Sequence, residues 1–310
     1  MLLRLARELR RERYDIVHTH SSKAGILGRM AARLAGVPVV IHSVHGFSFS
    51  PFQSFGKRYF YLLAEKFCSR LTSHFIFVSR GDIDMAQKNK LIKDNFSLVR
   101  SGFPQEKFVR RHHDPAALKK KYLLADDHFV CGVIAPFKPQ KGLFHLVEIA
   151  SRVISRNPRV IFFIAGDGAQ RPELESELRR HGISQNFRLP GFITDVENAM
   201  DCFDIGLSTA LWEGLPQSLV QLRLKKKAIL ASDISGNREV IRDGENGFLL
   251  PIEDHERFAD AILKLAADGD LRSRLGNFSQ EDFSEWSAEV LVARQEELYR
   301  RLQVNSWMPR

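Results

Sequence analysis

Short apolar runs alternate with amphipathic stretches along most of the chain. Four of these runs, Val37–His45, His74–Ser79, Val160–Gly166 and Ala228–Ser232, are brief and almost wholly apolar. Such runs are typical of strands that are buried on both faces of a sheet. Between them lie segments with apolar residues at helical spacing, for example Leu143–Ser155. Because buried strands that alternate with helices form parallel sheets, we predict an α/β fold.

A charged, turn-prone stretch at Phe103–Asp114 interrupts this alternation and has no hydrophobic period. We interpret it as an interdomain linker. The pattern on either side predicts two Rossmann-like domains, at residues 1–104 and 105–285, and the second contains every element of a doubly wound domain. Residues 286–310 predict a C-terminal helix that crosses back toward the first domain.

The first fourteen residues predict an amphipathic helix, because Leu2, Leu5, Ala6 and Leu9 recur at helical spacing with arginines between them. We favour a surface helix that covers a sheet. Contact with an acidic membrane is the alternative, since basic amphipathic helices also bind lipid surfaces.

The charge balance favours anionic partners. Lys and Arg total 46 against 37 Asp and Glu, which gives a formal net charge of +9. Nucleotides, phosphates and acidic lipid headgroups fit this balance. The sequence has no basic patch interleaved with aromatic residues and no helix-turn-helix pattern, so we expect no nucleic-acid partner.

Cysteine usage and hydropathy favour a cytoplasmic location. Cys68, Cys131 and Cys202 are far apart in sequence, which supports neither a disulfide framework nor a zinc knuckle. No apolar run approaches the roughly 20 residues that cross a bilayer. Any membrane contact is therefore expected to be peripheral.

A first candidate phosphate site follows the strand that ends near Ala135. The sequence PFKPQKG places Lys138 and Lys141 in a strand-to-helix loop, with Gly142 where the next helix begins. Two ammonium groups and free backbone amides would converge there, as anion sites require. The plain alternative is a pair of solvated surface lysines.

A second candidate site is the sequence LWEGLP, which follows the strand IGLS. Glu213 is followed by Gly214, Leu215 and Pro216, and we expect their amides and those of the next helix to point along the helix dipole toward a diphosphate. A carboxylate fits hydroxyl groups or a developing cation better than a phosphate. Alternatively, Glu213 only compensates the dipole at the helix N-terminus.

The glycine turn Gly166-Asp167-Gly168 lacks the third glycine of a dinucleotide fingerprint, which argues against a nicotinamide enzyme. We expect no cofactor.

At this point the motifs carry a family resemblance. The chain resembles the retaining GT-B glycosyltransferases of family four (glycosyl transferases group 1), which build capsule, exopolysaccharide or lipopolysaccharide. The matching stretches, in family order, are YDIVHTHSSKAGILGRMAARLAGVPVVIHSVHGFSF, FKPQKG, FIAGDGAQRPELE, LPGFITDV, LWEGLP, GNREVI and DGENGFLL. The resemblance implies two Rossmann-like, doubly wound domains that face each other across a cleft.

The resemblance also implies roles in donor binding. A nucleotide-diphosphate sugar, with UDP the favoured nucleotide, would bind the second domain with Lys141 and a preceding basic residue on its pyrophosphate. The LPGF loop, with Gly191 and Phe192, would lie near the base, and Glu213 beside the sugar. Gln221 would accept a hydrogen bond from a ribose hydroxyl.

For the first domain, the resemblance implies that His45 of the HGF motif faces the anomeric centre. The acceptor-side candidates are His20, Lys23, Gly46 and Phe47. It further implies front-face transfer with retention and no metal, because lysines and helix amides neutralise the leaving diphosphate. The acceptor would be lipid-linked or a growing polysaccharide at the cytoplasmic face of a membrane.

Two patterns that mimic metal sites are set aside. His18, His20, His42 and His45 all lie at predicted strand ends, but we expect their side chains to diverge, without a completing carboxylate or thiolate. Asp82 belongs to an Asp-x-Asp pattern, which we assign to the start of a helix after Ser79.

Three features depart from the family pattern. Gln221 stands where the family has a second glutamate, and Pro136 where it has an arginine. The helix that follows LWEGLP ends in Lys225-Lys226-Lys227, without the usual glycine stop.

The chain also starts late relative to the family, so we expect the first domain to lack its first strand–helix units. The alternative function is therefore a catalytically impaired or truncated paralogue that binds nucleotide sugar or serves as a partner subunit.

Overall fold

A computed structural model of the chain describes residues 1–49, 53–109, 115–278 and 282–307. The chain divides into two compact units, which are described separately. Unit 1 comprises residues 1–103 and 283–310, and unit 2 comprises residues 104–282. The limits predicted from the sequence, at 104 and 285, lie one and three residues away.

Unit 1 is built on a parallel sheet with the strand order β1-β2-β3-β4. Its strands are β1 (Ile16–His20), β2 (Val39–Val44), β3 (His74–Phe77) and β4 (Phe96–Leu98). Its helices are α1 (Leu2–Glu12), α2 (Ser22–Ala35), α3 (Phe55–Ser69), α4 (Arg80–Lys88) and the C-terminal α14 (Ala288–Trp307), which is preceded by a single 3₁₀ turn at Ser284–Trp286.

The apolar runs of unit 1 form its core as predicted. Every residue of β2 and β3 is buried, which is expected for central parallel strands. Helix α1 packs against α2. Ala6 is buried and Leu9 packs against the cluster of Ala32, Val37 and Val40, so α1 is a surface helix of this unit.

A buried ion pair joins α2 to α3. Arg29 donates from its guanidinium to Glu65 at 2.8 Å, and the two side chains are 0% and 3% exposed. Arg29 also donates to the carbonyl of Gly25 at 3.0 Å. Burial raises the pKa of Glu65, and the adjacent guanidinium opposes this shift.

Unit 2 contains a six-stranded parallel sheet with the order β10-β9-β8-β5-β6-β7. Its strands are β5 (Phe129–Ile134), β6 (Val160–Ala165), β7 (Phe187–Gly191), β8 (Ile205–Ser208), β9 (Ala228–Ser232) and β10 (Gly247–Leu250). Its helices are α5 (Glu106–Val109), α6 (Pro115–Lys121), α7 (Leu143–Arg156), α8 (Arg171–Arg180), α9 (Val196–Asp201), α10 (Gln217–Leu224), α11 (Ser235–Arg238), α12 (His255–Ala267) and α13 (Gly269–Gly276). Single 3₁₀ turns occur at Pro139–Lys141 and Ser184–Asn186.

The first strand of this unit, β5, lies in the middle of the sheet, and later strands are added first on one side of it and then on the other. The chain runs outward from β5 to β6 and β7, and then returns to β8, which lies on the other side of β5. The gap above β5 and β8 is therefore the topological switch point of a doubly wound sheet, where ligands bind in such folds.

The predicted linker is wrong in part. Residues 106–109 form α5, and Phe108 is buried in spite of the charged residues around it. Residues 110–114 of the same stretch lie outside the described residues. Helices α6 and α13 were not predicted, because lysines and arginines mask their short apolar faces.

The missing glycine stop after α10 is replaced by lysine side chains. Lys226 adopts the left-handed conformation itself, with φ 54°. Lys225 forms a buried ion pair with Asp201 at 3.0 Å, and the Lys227 ammonium donates to the carbonyl of Phe203 at 2.6 Å. These contacts hold a backbone conformation that lysine would otherwise disfavour.

Of the helices within the described ranges, none combines the length and the apolarity needed to cross a lipid bilayer.

We predict that Arg29→Met destabilises the protein by about 3 kcal/mol or more, because it leaves Glu65 buried without its partner. Denaturant unfolding followed by circular dichroism measures this loss. The control Arg33→Met removes an exposed arginine of the same helix, and the double variant Arg29→Met with Glu65→Leu should recover most of the stability. Equal stabilities for Arg29→Met and Arg33→Met would refute this account of the ion pair.

Candidate functional site

Three loops at the carboxyl ends of β5, β6 and β8 form the candidate site of unit 2. We name them the β5 loop (residues 135–142), the β6 loop (166–170) and the β8 loop (209–216). Because the strands are parallel and adjacent, these loops leave the sheet at the same edge.

Besides the Lys141–Glu213 contact described below, three hydrogen bonds join the β5 and β8 loops. The Thr209 hydroxyl donates to the carbonyl of Lys141 at 2.9 Å, and the Leu211 amide donates to the carbonyl of Gln140 at 2.8 Å. The Gln140 side-chain amide donates to the carbonyl of Trp212 at 2.8 Å. The two loops therefore form one rigid wall at the switch point.

Gly142 makes this approach possible for two reasons. Its φ is +60°, in the left-handed region, where it ends the 3₁₀ turn and begins α7. A Cβ atom at this position would lie 2.1 Å from the carbonyl oxygen of Thr209. Any side chain here would thus be strained and would push the two loops apart.

The wall presents an ion pair between Lys141 and Glu213. The ammonium and the carboxylate are in direct contact, with side chains that are 17% and 12% exposed. The two residues are 72 positions apart in sequence, and the loops bring them together. Glu213 therefore has a cationic partner, and α10 begins only at Gln217, so the alternative that Glu213 serves only the helix dipole is not favoured.

The other predicted phosphate residues differ in their surroundings. Lys138 is exposed and forms no ion pair with a described residue. Gly214 is buried, and its φ is not positive. Pro216 precedes α10 as its N-cap instead of lying in its first turn, and Leu215 lies beside it in the loop. Gln221 is half-buried on α10.

A cavity of about 510 Å³ lies beside this wall, over the ends of β5, β6 and β7. The predicted residue Phe192 lines it and is 82% exposed. Pro136 of the β5 loop and Asp167 of the β6 loop also line it, together with Ile193 and Val196. The size and the mixture of apolar groups and backbone suit a flat organic ligand.

The predicted residue Gly191 supports the cavity through its backbone. Its carbonyl accepts a hydrogen bond from the amide of Gly166 at 2.9 Å, which ties the end of β7 to the β6 loop.

Asp167 is a residue that the sequence analysis did not select. Its carbonyl accepts from the Phe137 amide at 2.9 Å, and its side chain accepts from the Gly168 amide at 2.7 Å. Arg171 donates to the same carboxylate at 3.3 Å. The signal was available in the glycine turn Gly166-Asp167-Gly168, which was weighed only as a dinucleotide fingerprint.

In unit 1, three histidines form a cluster at the ends of β1 and β2. The rings of His18 and His20 have centroids 4.3 Å apart, and His20 Nδ1 lies 3.1 Å from His45 Nε2. His18 is held by two partners, Tyr299 Oη at 2.6 Å and Ser43 Oγ at 2.7 Å. The expectation that these side chains diverge is therefore wrong, because residues 18 and 20 share one face of β1.

His42 alone points the other way, and its Nδ1 lies 2.9 Å from the hydroxyl of buried Thr19.

The cluster favours neutral imidazoles. Burial, together with the charges of His20 and His45, lowers the pKa of His18 to about 4. Burial also lowers the pKa of His20, and burial with the neighbouring His20 lowers that of His45. His20 and His45 are nevertheless exposed at the surface, so an unprotonated ring nitrogen is accessible there.

The remaining acceptor-side candidates are mixed. Lys23 is exposed in the first turn of α2, and Gly46 follows His45 with φ +101°. Phe47, in contrast, is buried and packs against Phe49 and Phe77. Its assignment as an acceptor contact is corrected: Phe47 is a core residue that anchors the loop.

Asp82 has the structural role that was predicted. The Ser79 hydroxyl accepts from the Asp82 amide at 3.1 Å and caps α4. Within the described part of the chain, no group of three or more histidines, cysteines and carboxylates is placed to hold a metal ion.

Comparisons with known proteins match both halves of the chain. The family model described as Glycosyltransferase Family 4 matches residues 1–106, and the one described as Glycosyl transferases group 1 matches residues 114–282. The UDP-Gal:alpha-D-GlcNAc-diphosphoundecaprenol alpha-1,3-galactosyltransferase of Escherichia coli is 31% identical, over 98% of this chain and 80% of its own length. The capsular polysaccharide biosynthesis glycosyltransferase CapM of Staphylococcus aureus is 23% identical, over 96% of this chain and 80% of its own length.

Among solved structures, Anabaena HepE in complex with UDP superimposes with a TM-score of 0.83 at 19% identity. The match covers 97% of this chain and 82% of that one. This likeness confirms the predicted GT-B fold class.

We predict that Gly142→Ala destabilises the protein by about 3 kcal/mol or more, since it combines backbone strain with a collision. The matched control is Gly182→Ala. Gly182 has φ +69° and no atom within 4 Å of an added Cβ, so only the strain of about 1 kcal/mol should be seen. Denaturant unfolding compares the two variants, and equal losses would show that the loops do not constrain Gly142.

We also predict that stability falls as the pH is lowered from 6.5 toward 4. Burial lowers the pKa of both His18 and His74 from 6.5 to about 4, so the folded state binds fewer protons than the unfolded state across this window. Thermal unfolding measured through the window checks the slope. His74→Gln should flatten the curve, because it removes one of the two imidazoles whose pKa is lowered to about 4 on folding. A pH-independent midpoint between 4 and 6.5 would contradict the prediction.

Proposed function

Because this chain belongs to the group 1 glycosyl transferases, we propose that it transfers a sugar from a UDP-sugar to a lipid-linked or polysaccharide acceptor in cell-surface glycan synthesis. The observation that carries the proposal is the Lys141–Glu213 pair at the switch point of unit 2, beside a cavity of about 510 Å³. A cation, a carboxylate and an adjacent cavity fit the diphosphate, sugar and nucleoside of such a donor.

UDP is the proposed nucleotide. The E. coli relative is named for UDP-Gal, and HepE was crystallised with UDP. In this chain the nucleoside would occupy the cavity, with Phe192 and the backbone near Gly191 at the base. Gln221 would accept from a ribose hydroxyl, and its neutral amide would bind more weakly than the carboxylate typical of the family.

The diphosphate would bind at the wall formed by the β5 and β8 loops. Phosphate oxygens would compete with Glu213 for the Lys141 ammonium, and exposed Lys138 would supply a second charge. The backbone from Gly214 to Pro216 leads into α10, whose N-terminal amides favour an anion. These fixed donors would neutralise the charge that grows on the leaving UDP, and no metal is needed in this scheme.

Glu213 would then be released toward the sugar. A carboxylate there can accept hydrogen bonds from sugar hydroxyls and stabilise positive charge that develops at the anomeric carbon. We propose front-face transfer with retention of configuration, in which the bond between the anomeric carbon and the phosphate oxygen of UDP breaks and the attacking hydroxyl oxygen forms the new glycosidic bond on the same face. The departing phosphate oxygen accepts the proton of that hydroxyl.

Unit 1 would supply the acceptor-side groups. His45 and His20 present neutral ring nitrogens that can hydrogen-bond hydroxyls, and Lys23 is an exposed cation on α2. Gly46 gives close backbone approach beside His45. A lipid diphosphate acceptor, like that in the name of the E. coli relative, suits the net charge of +9 and a site of action at the cytoplasmic face of a membrane.

We predict that Glu213→Gln lowers the rate of transfer by about 100-fold or more while UDP binding persists, because the amide keeps the shape but not the charge. Calorimetric titration with UDP measures binding. Transfer from UDP-sugars to a GlcNAc-diphospholipid measures turnover. The control Glu173→Gln alters an exposed carboxylate of α8 and should change neither quantity.

Unchanged turnover in Glu213→Gln would remove this residue from the site. A folded chain that does not bind UDP would refute the donor proposal. UDP binding by the parent chain without transfer to any lipid or glycan acceptor would favour the alternative, a sugar-nucleotide-binding partner subunit.

A further inference from the structure

Helix α3 is apolar on two opposite faces. One face packs into unit 1, where Tyr61 and Leu62 contact the core cluster and Glu65 and Cys68 are buried. The opposite face is large, apolar and exposed. A surface helix normally has one apolar stripe, and a helix that is apolar all round is normally buried. The outer face of α3 therefore requires a separate explanation.

The outer face consists of four aromatic residues and one leucine. Their exposed fractions are 83% for Phe55, 55% for Tyr59, 65% for Phe60, 48% for Leu63 and 53% for Phe67. The rings of Phe55 and Tyr59 stack with centroids 6.3 Å apart. Contiguous apolar surface of this kind marks a docking site on a soluble domain.

Positive charge flanks this face without compensation. Lys57, Arg58, Lys66 and Arg70 are exposed on or next to α3, and none of them forms an ion pair with a described residue. The single acidic residue of the helix, Glu65, is buried against Arg29. The outer side of α3 is therefore aromatic and cationic.

The positive charge continues into a cavity of about 800 Å³ at the end of the helix. Lys66 and Arg70 line it from the α3 side, and Lys90 and Lys93 line it from the segment after α4. Asp94 is its one acidic lining residue. A cavity with four cationic groups and one carboxylate fits phosphate-bearing headgroups.

We propose that the outer face of α3 docks on an anionic phospholipid bilayer. Aromatic side chains partition into the boundary between headgroups and acyl chains, and Lys and Arg pair with lipid phosphates just above it. The inference rests on the proposed function in one respect, since it names the surface that would meet a membrane carrying the acceptor. The residues that carry it belong to unit 1, whereas the proposed donor site belongs to unit 2.

A second copy of the chain is a poorer occupant of this face. A two-fold interface would place the same patch on both subunits, so the cationic flanks of one helix would face those of the other. Like charges at the rim of an interface oppose association. An anionic bilayer offers both an apolar layer and the opposite charge.

Flotation of the full chain with lipid vesicles tests the proposal. We expect binding to vesicles made of about one third phosphatidylglycerol and two thirds phosphatidylcholine. Binding to vesicles of pure phosphatidylcholine should be at least about tenfold weaker. The double variant Phe60→Ser with Phe67→Ser should bind anionic vesicles at least about tenfold more weakly than the parent chain. The double variant Lys57→Glu with Arg58→Glu should lose at least as much.

Matched controls distinguish binding through the outer face of α3 from non-specific hydrophobic or electrostatic binding elsewhere on the chain. Val292→Ser removes an apolar residue of α14 with the same 53% exposure as Phe67, and Lys120→Glu with Lys264→Glu reverses two exposed charges in unit 2. Both controls should bind vesicles like the parent chain. All variants should keep the parent's circular dichroism and its affinity for UDP, so a failure of donor binding is recognised separately.

Three outcomes would overturn the proposal. The parent chain could fail to bind anionic vesicles, or it could bind pure phosphatidylcholine equally well. The α3 variants could also bind as tightly as the controls. Sedimentation velocity adds a further test: a dimer that the α3 variants dissociate, without vesicle binding by the parent, would identify a second copy as the occupant.

Discussion

The candidate donor site depends on how closely the β5 and β8 loops approach each other. The contact of Gly142 with the carbonyl of Thr209 leaves no room for a side chain, and the hydrogen bonds between the loops fix the spacing. That spacing brings Lys141 onto Glu213. The stability of a partly buried ion pair depends strongly on the distance between its two groups, because the pair competes with separate hydration of the ammonium and the carboxylate. Backbone geometry at one glycine thus sets the electrostatics of the whole wall.

Much of the fold could be predicted from periodicity, because parallel strands buried on both faces leave an unmistakable apolar run. β2, β6 and β9 are found where VPVVIHSVH, VIFFIAG and AILAS predicted them. Short helices with few buried residues could not be predicted in this way. In α5, Phe108 alone marks the inward face, and a single aromatic residue among charges carries no period.

Pairings across the sheet were harder to anticipate than the elements themselves. The motifs indicated Lys141 and Glu213 separately, and only tertiary structure joins residues so far apart in sequence. For the histidines, the alternation of β1 was available, yet the closeness of His45 depends on the register that sets His20 beside Ser43. Sequence motifs therefore located the groups, and strand register decided which of them touch.

The buried Arg29–Glu65 pair has a consequence for the orientation of α3. Hydrophobic burial alone hardly distinguishes the two sides of this helix, since either side could cover the sheet. The ion pair distinguishes the two sides, because rotation of α3 about its axis would separate Glu65 from Arg29 and leave the buried guanidinium without its partner. The ion pair thus fixes the rotation of α3 about its own axis. The aromatic residues of α3 are thereby kept on its outer face.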